Sequence, residues 1–325
     1  MRKENWKGRK TGLFILLCIV VFIVSFVGSA IFKVTYKSPE MKKYSIDWSD
    51  KVGKVYTDIV YGKQDAQKFD LYVPTDDAKD TYGLVIYLHA GGFTTGDKAD
   101  DKKMLQWLCS KGYLAAGINY TLRDDDHPKT SVYSQSQEIK ASIPFVVEKA
   151  KKLGYNVDRM AISGGSAGGC LALLYAYRDA DTSPVPVKMV FEAVGPASFY
   201  AEDWTTYGLD KSPKAAAGLF GIMAGKEITS EMLGTVNYDD AIKDISAYMW
   251  INEDTVPTVC AYGIYDKICP FGSSKHLIKA LNENNVTHEY IEFPHSGHAL
   301  QNDNNCYIQY MDKVEEYLNT YMKGQ

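Results

Sequence analysis

Apolar positions along this chain change their spacing several times, and each change marks an element. From Leu13 to Phe32 they form an uncharged run, long enough for a helix to cross a bilayer's hydrocarbon core. From Lys33 to about Asp50 the chain is polar and aperiodic, which reads as a stalk. Alternation follows: Lys54 to Tyr61 and Gln67 to Val73 predict two strands paired antiparallel across Gly62-Lys63-Gln64-Asp65. Beyond them come continuous apolar runs at Leu84 to Leu88, Tyr113 to Ile118, Arg159 to Ile162, Val187 to Val194, Val256 to Tyr262 and His288 to Phe293. Strands read this way when helices cover both faces of a parallel sheet. The segments between show helical spacing: Lys102 to Ser110, Gln135 to Leu153, Ala167 to Arg178, Ser273 to Asn284 and Asn302 to Met322.

An antiparallel start followed by alternating strand and helix predicts an α/β fold: a doubly wound, mostly parallel, eight-stranded sheet, here preceded by one transmembrane helix. Ala197 to Met249 breaks the rhythm. It is too long for one crossover and rich in Tyr, Trp and Gly, so it predicts a small helical cap over the sheet edge at about 197–249. The expected organisation is a cytoplasmic basic tail (1–12), a signal-anchor (13–32), a stalk (33–50) and one large domain (51–325). The 325 residues, 46% of them hydrophobic, suffice for a single large core, and no repeat divides them.

Charge and cysteine usage refine this picture. Arg2, Lys3, Lys7, Arg9 and Lys10 precede the apolar run, so the N-terminus is expected inside and the remainder across the membrane. Gly28, Ser29 and Ala30 would permit cleavage and secretion, but a signal peptide's apolar core is shorter than this one, which favours a retained anchor. Residues 1–32 carry those five basic side chains and Glu4, so the net charge of −4 leaves −8 on the rest. An acidic exported domain has no electrostatic reason to bind nucleic acid. Cys109, Cys170, Cys260, Cys269 and Cys306 are odd in number, irregularly spaced and without a metal-ligand pattern. Buried free thiols are expected, with one disulfide open in an oxidising compartment.

The candidate chemistry centres on Ile162-Ser163-Gly164-Gly165-Ser166-Ala167-Gly168-Gly169. Strand, Gly-x-Ser-x-Gly, helix is the order that holds a serine on a strained turn with its hydroxyl exposed at a sheet edge. Gly164 would let the backbone turn sharply, and Gly168 would let the new helix pack close to its neighbours. The run is not a dinucleotide loop, because Ser166 stands where that loop needs its second glycine. A serine hydroxyl needs a base within reach and a third group to orient the base. Asp266 follows the apolar run ending near Gly263, and His298 follows the one ending at Phe293. Ser, Asp, His, each just beyond a strand's carboxyl end, is the chain order of the α/β-hydrolase triad. His89-Ala90-Gly91-Gly92-Phe93 follows Leu84 to Leu88, where a glycine loop can aim backbone N–H groups at an oxyanion.

From about Tyr56 to Tyr321 the chain resembles the esterase/lipase group of α/β-hydrolases related to hormone-sensitive lipase. Its glycine loop is similar to the HGGG loop of that group, with Ala90 in place of the first glycine. Asn119-Tyr120-Thr121-Leu122, followed by His127-Pro128, is similar to the group's Y-R-L-A-P-E-H-P segment, with Arg123-Asp124-Asp125-Asp126 replacing the short link. The resemblance implies that Gly91, Gly92 and Ala167 supply the oxyanion N–H groups, that His89 braces its loop, and that no metal or cofactor is needed. It also favours His298, after glycine, over His295 as the base.

Other residues have structural readings. Glu192, in or just past a strand, and Glu138, early in a helix, are rival acids, but neither follows the last-but-one strand as Asp266 does. Asp124-Asp125-Asp126-His127 reads as a solvated loop, since adjacent carboxylates rarely converge on one ion. Phe199, Tyr200, Trp204, Tyr207 and Phe220 in the cap would line a pocket or form the cap's own core. Cys269 reads as packing. The expectation is a membrane-anchored serine carboxylesterase acting on a small-molecule or polymer-borne ester. Its rivals are a peptidase, amidase or acyltransferase on the same scaffold, or a silent surface-binding module, which usually lacks the serine or the histidine.

Overall fold

The computed structural model describes residues 20–25, 27–29, 42–75 and 79–324. The chain forms two compact units, Met1–Ser45 and Ile46–Gln325. In the first, residues 20–25 and 27–29 are helical. The basic tail and much of the expected membrane span (13–19, 26 and 30–32) lie outside the described residues. Among the described residues no helix is long and apolar enough to cross a membrane.

The second unit is built on an eight-stranded sheet of order β1-β2-β4-β3-β5-β6-β7-β8. Its strands are β1 (Gly53–Val60), β2 (Lys68–Pro74), β3 (Tyr82–Leu88), β4 (Leu114–Ile118), β5 (Val157–Gly165), β6 (Val187–Ala193), β7 (Thr258–Gly263) and β8 (His288–Phe293). β1 pairs with β2 and β2 with β4 antiparallel, and the rest pair parallel. This is the α/β-hydrolase architecture. The outer strand β1 does not keep the alternation expected of it: Gly53 is buried, Tyr56 and Ile59 are half-buried on either side of a register shift, and the rest are exposed, whereas β4 and β7 are buried throughout. Of the polar stretch expected as a stalk, residues 33–41 lie outside the described residues, and from Ile46 onward it belongs to this unit. Trp48 packs edge-on against Tyr72, with ring centroids 5.7 Å apart, and the Thr75 hydroxyl donates to Asp50 O.

Helices cover both faces, as the unbroken apolar strands require. On one face lie α1 (Lys102–Ser110) and α7 (Asn304–Tyr321), joined by the Lys111–Glu315 ion pair and by Tyr113 Oη donating to Leu318 O. The other face carries α2 (Val132–Lys152), α3 (Ala167–Leu174) and α6 (Gly272–Glu283), whose apolar sides share one core with Leu84, Ile86 and Leu88. Each such side chain, fully removed from water, contributes about 1.5–3 kcal/mol before ordering costs. α2 starts earlier than its apolar spacing predicts, because Ser131 and Ser134 form a reciprocal capping box. α3 ends at Leu174, short of the Arg178 expected, and the chain continues as a π turn over Tyr175–Asp179.

The cap is helical, with α4 (Pro213–Ala224), α5 (Val236–Ile242) and several 3₁₀ turns. Its aromatics divide. Phe199, Trp204 and Phe220 are buried against one another as the cap's own core, Tyr200 is half-buried against Tyr248, and Tyr207 is exposed. All five cysteines beyond residue 45 are unpaired, four of them buried.

Candidate active site

The parallel strands end at one edge of the sheet, and there the loops after β5, β7 and β8 converge. Ser166 stands between the end of β5 and the start of α3 with φ 53° and ψ −120°. A non-glycine residue is held there only when its surroundings over-determine it. Ser166 N–H donates to Ala193 O, and Cys170 N–H donates to Ser166 O, so strand and helix grip the serine from both sides. The sharp turn therefore falls on Ser166 itself and not on Gly164, which lies within β5. Gly168 has the role expected of it: a Cβ there would lie 2.0 Å from Leu88 O. Only glycine allows α3 to approach β3 so closely.

The loop after β7 brings Asp266 to the same edge, and Tyr265 N–H donates to Ser296 O, tying that loop to the one that carries His298. His298 Nδ1 lies 2.7 Å from Asp266 Oδ2, and His298 Nε2 lies 2.9 Å from Ser166 Oγ. A carboxylate can only accept, so Nδ1 carries the proton and Nε2 offers its lone pair to the serine hydroxyl. The other Asp266 oxygen accepts the N–H groups of Ile268 at 2.8 Å and Cys269 at 2.9 Å. With its side chain 1% exposed against 19% for His298, the acid is sealed while the imidazole remains reachable.

The glycine loop after β3 holds Gly91, Gly92 and Phe93 at φ values of 129°, 60° and 69°. Gly91 O accepts the N–H groups of Thr94 and Thr95 and the Thr95 hydroxyl, which closes the loop on itself. Ala167 opens α3, so its N–H has no partner within the helix. His89 is buried beneath the loop. Its Nδ1 donates to Ala90 O at 2.7 Å, its ring stacks on Tyr120 at 4.4 Å, and Tyr120 Oη donates back to His89 O. Burial holds its pKa below the usual histidine value, which keeps the ring neutral. Its contacts hold it against the loop backbone and Tyr120.

The rivals lie elsewhere. His295 bonds Asp303 at 2.8 Å with its side chain 77% exposed. Glu138 accepts Thr121 N–H at 2.8 Å, and buried Glu192 accepts Gly195 N–H at 2.8 Å. His127 pairs with Asp124 in the solvated loop.

Sequence reasoning missed what fixes the far end of the glycine loop. Asn119 Oδ1 accepts Lys98 N–H, and its Nδ2 donates to Asp97 Oδ2, each at 2.6 Å. The buried Lys98 ammonium in turn meets Asp58 at 2.9 Å and Asp70 at 3.2 Å. No spacing rule links these residues. The only signal was Asn119 standing first in the segment similar to Y-R-L.

Residues 69–281 match the model of the BD-FAE family, a span that contains Ser166 and Asp266 and stops before His298. Among curated relatives, the chain is 30% identical over 142 residues to the non-reducing polyketide synthase atr1 of Stereocaulon alpinum, covering 41% of this chain and 6% of that one. It is 29% identical over 105 residues to esterase LipI of Mycobacterium tuberculosis, covering 32% of each. The chain thus spans well under two thirds of these relatives' lengths. Among solved structures, esterase B from Lactobacillus rhamnosis in an inhibited form superposes with a TM-score of 0.63 at 20% identity, covering 92% of this chain and 95% of that one. At that identity the likeness concerns the fold.

Proposed function

The chain belongs to the BD-FAE family of α/β-hydrolase esterases, and from that premise we propose that it is a serine carboxylesterase working through an acyl-enzyme on Ser166, His298 and Asp266. The observation that carries this reading is the unbroken hydrogen-bonded line from Asp266 through His298 to Ser166 Oγ. His298 Nε2 takes the hydroxyl proton as Oγ attacks the ester carbonyl, and Asp266 stabilises the imidazolium that forms. Gly91, Gly92 and Ala167 direct their N–H groups at the oxyanion of the tetrahedral intermediate. The imidazolium then gives its proton to the departing alcohol, leaving Ser166 acylated. Water, deprotonated by the same nitrogen, attacks the acyl carbon and releases the acid. The substrate is an ester small enough, or presented openly enough, to reach Ser166.

The same reading extends to location. The span from Leu13 to Phe32, flanked on its N-terminal side by basic residues, supports a single-pass anchor with the catalytic domain extracytoplasmic.

A fluorophosphonate probe tests the function. Covalent labelling of the wild type and its loss in Ser166→Ala, with an unchanged far-UV spectrum, is the expected result. Folded wild-type protein that takes no label would sink the proposal and leave a silent binding module.

A further inference from the structure

Against the first turn of α3 lies a buried acid that the proposed mechanism does not use. Glu192, on β6, has no exposure to solvent. Its Oε2 accepts Gly195 N–H at 2.8 Å, the Tyr262 hydroxyl lies beside the carboxyl and donates to Gly195 O at 2.8 Å, and among the described residues Oε1 has no hydrogen-bond partner. The carboxyl is wedged between the turn after β6 and the first turn of α3. A Cβ on Gly169 would lie 2.9 Å from Oε2, and one on Gly195 would lie 2.8 Å from it and 2.8 Å from Cys170 N. These two glycines make room for the carboxyl and for each other's backbone.

Among the described residues no positive charge acts on it. Around it stand Cys170 on α3, Tyr177 on the π turn, Cys260 and Tyr262 on β7, Cys269 in the Asp266 loop, and more distantly Tyr87 and Tyr310. Burial raises the pKa of every one of these groups, so all are neutral near pH 8. Arg178, whose charge reaches the neighbouring Cys170, is committed to Asp179, Asp244 O and Ser136. A carboxylate desolvated without a counter-charge takes up a proton instead.

We propose that Glu192 is a positioning residue of the nucleophile turn: as an uncharged acid it locks the Gly195 turn against the first turn of α3, and its ionisation turns the site off. This rests on the serine-esterase reading above. The reason is electrostatic. The N-terminus of α3 directs Ala167 N–H toward the place where negative charge develops during acyl transfer. A carboxylate lodged against Gly169, two residues further along that turn, in a low-dielectric interior, opposes that charge. Burial pushes the Glu192 pKa up to about 8, outweighing the Gly195 N–H and the Tyr262 hydroxyl, both of which favour the anion.

The test compares wild type with Glu192→Gln, which keeps the shape and cannot ionise. Wild-type kcat should fall at least tenfold between about pH 7 and pH 9.5 with KM little changed. The variant should keep a flat profile over that interval. An alkaline fall of the same size in Glu192→Gln, or none in the wild type, overturns the proposal.

Stability supplies a readout independent of catalysis. An acid whose folded pKa lies above its unfolded one binds a proton on folding, so each rise in pH between the two values costs stability. The Tm of the wild type should therefore drop relative to Glu192→Gln as pH rises from about 5 to 9. Should the variant not fold, infrared spectra of Asp101→Asn decide, since burial also pushes the Asp101 carboxyl up to about 7: a protonated carboxyl band present at pH 6 and lost by pH 9.5 is required. Its absence at pH 6 ends the proposal. A protein with no esterase activity that still shows the Tm trend would fail the functional reading and spare the assignment of a neutral Glu192.

Discussion

At the residue scale the site depends on which nitrogen of His298 holds the proton. The Asp266 carboxylate, itself held by two backbone N–H groups, fixes that proton on Nδ1 and leaves Nε2 facing Ser166. Asp266→Asn places an amide where only an acceptor serves, and the imidazole turns over to the wrong tautomer. A loss of about 10⁴ in kcat at neutral pH is expected from initial rates on a p-nitrophenyl ester. His298→Ala should be as severe as loss of the serine, because the two act as one unit. His295→Ala should leave the rate nearly unchanged, since that ring pairs with Asp303 at the surface. If His295→Ala proved the silent variant and His298→Ala the active one, the assignment of the base would be reversed.

The element scale explains why these side chains meet. A sheet with parallel strands delivers the loops after β5, β7 and β8 to one edge, and α3 must pack closely on β3 for the Ser166 turn to form. Gly168 is the point of contact. In Gly168→Ala the new methyl faces Leu88 O, Leu88 C and His89 O at 2.0, 2.5 and 2.7 Å, all backbone atoms that cannot rotate away. α3 must then back away from β3, carrying Ser166 with it. Overpacking of this kind costs about 1–3 kcal/mol or more, enough to lower Tm by several degrees in a domain of this size. The larger effect should be on kcat, since an ångström of misplacement between nucleophile and base costs on the order of 10². A thermal melt and a kcat measurement on this variant check both, and a wild-type kcat would show that the close approach is not needed.

At the scale of the whole molecule the domain from Ile46 to Gln325 has its own core, while the expected anchor precedes it. Full-length protein should partition with the membrane fraction, resist carbonate and high salt, and be released by detergent, because ionic strength does not undo the burial of a spanning helix. Protein begun near residue 46 should be soluble and hydrolyse esters at the same rate. A soluble mature form starting near Ile31 would instead identify Gly28-Ser29-Ala30 as a cleavage site and change the location from anchored to secreted.

Strand count, the approximate place of the helices, the strained turn at Ser166 and the chain order of the proposed triad were legible in the sequence, because each depends on local periods and short motifs. Continuous apolar runs meant strands covered on both faces, and the chain order of Ser166, Asp266 and His298 meant three loops on one edge. What the sequence left open was settled by contacts between residues far apart in the chain. Phe199, Trp204 and Phe220 proved to be the cap's own core only once folded against one another. Asn119, Asp97 and Lys98 became supports of the glycine loop only when β2, β3 and β4 lay side by side. Glu192 read as a rival acid until tertiary packing removed it from water and surrounded it with neutral groups. The protonation state of a buried carboxyl depends on what encloses it, and no stretch of sequence carries that information.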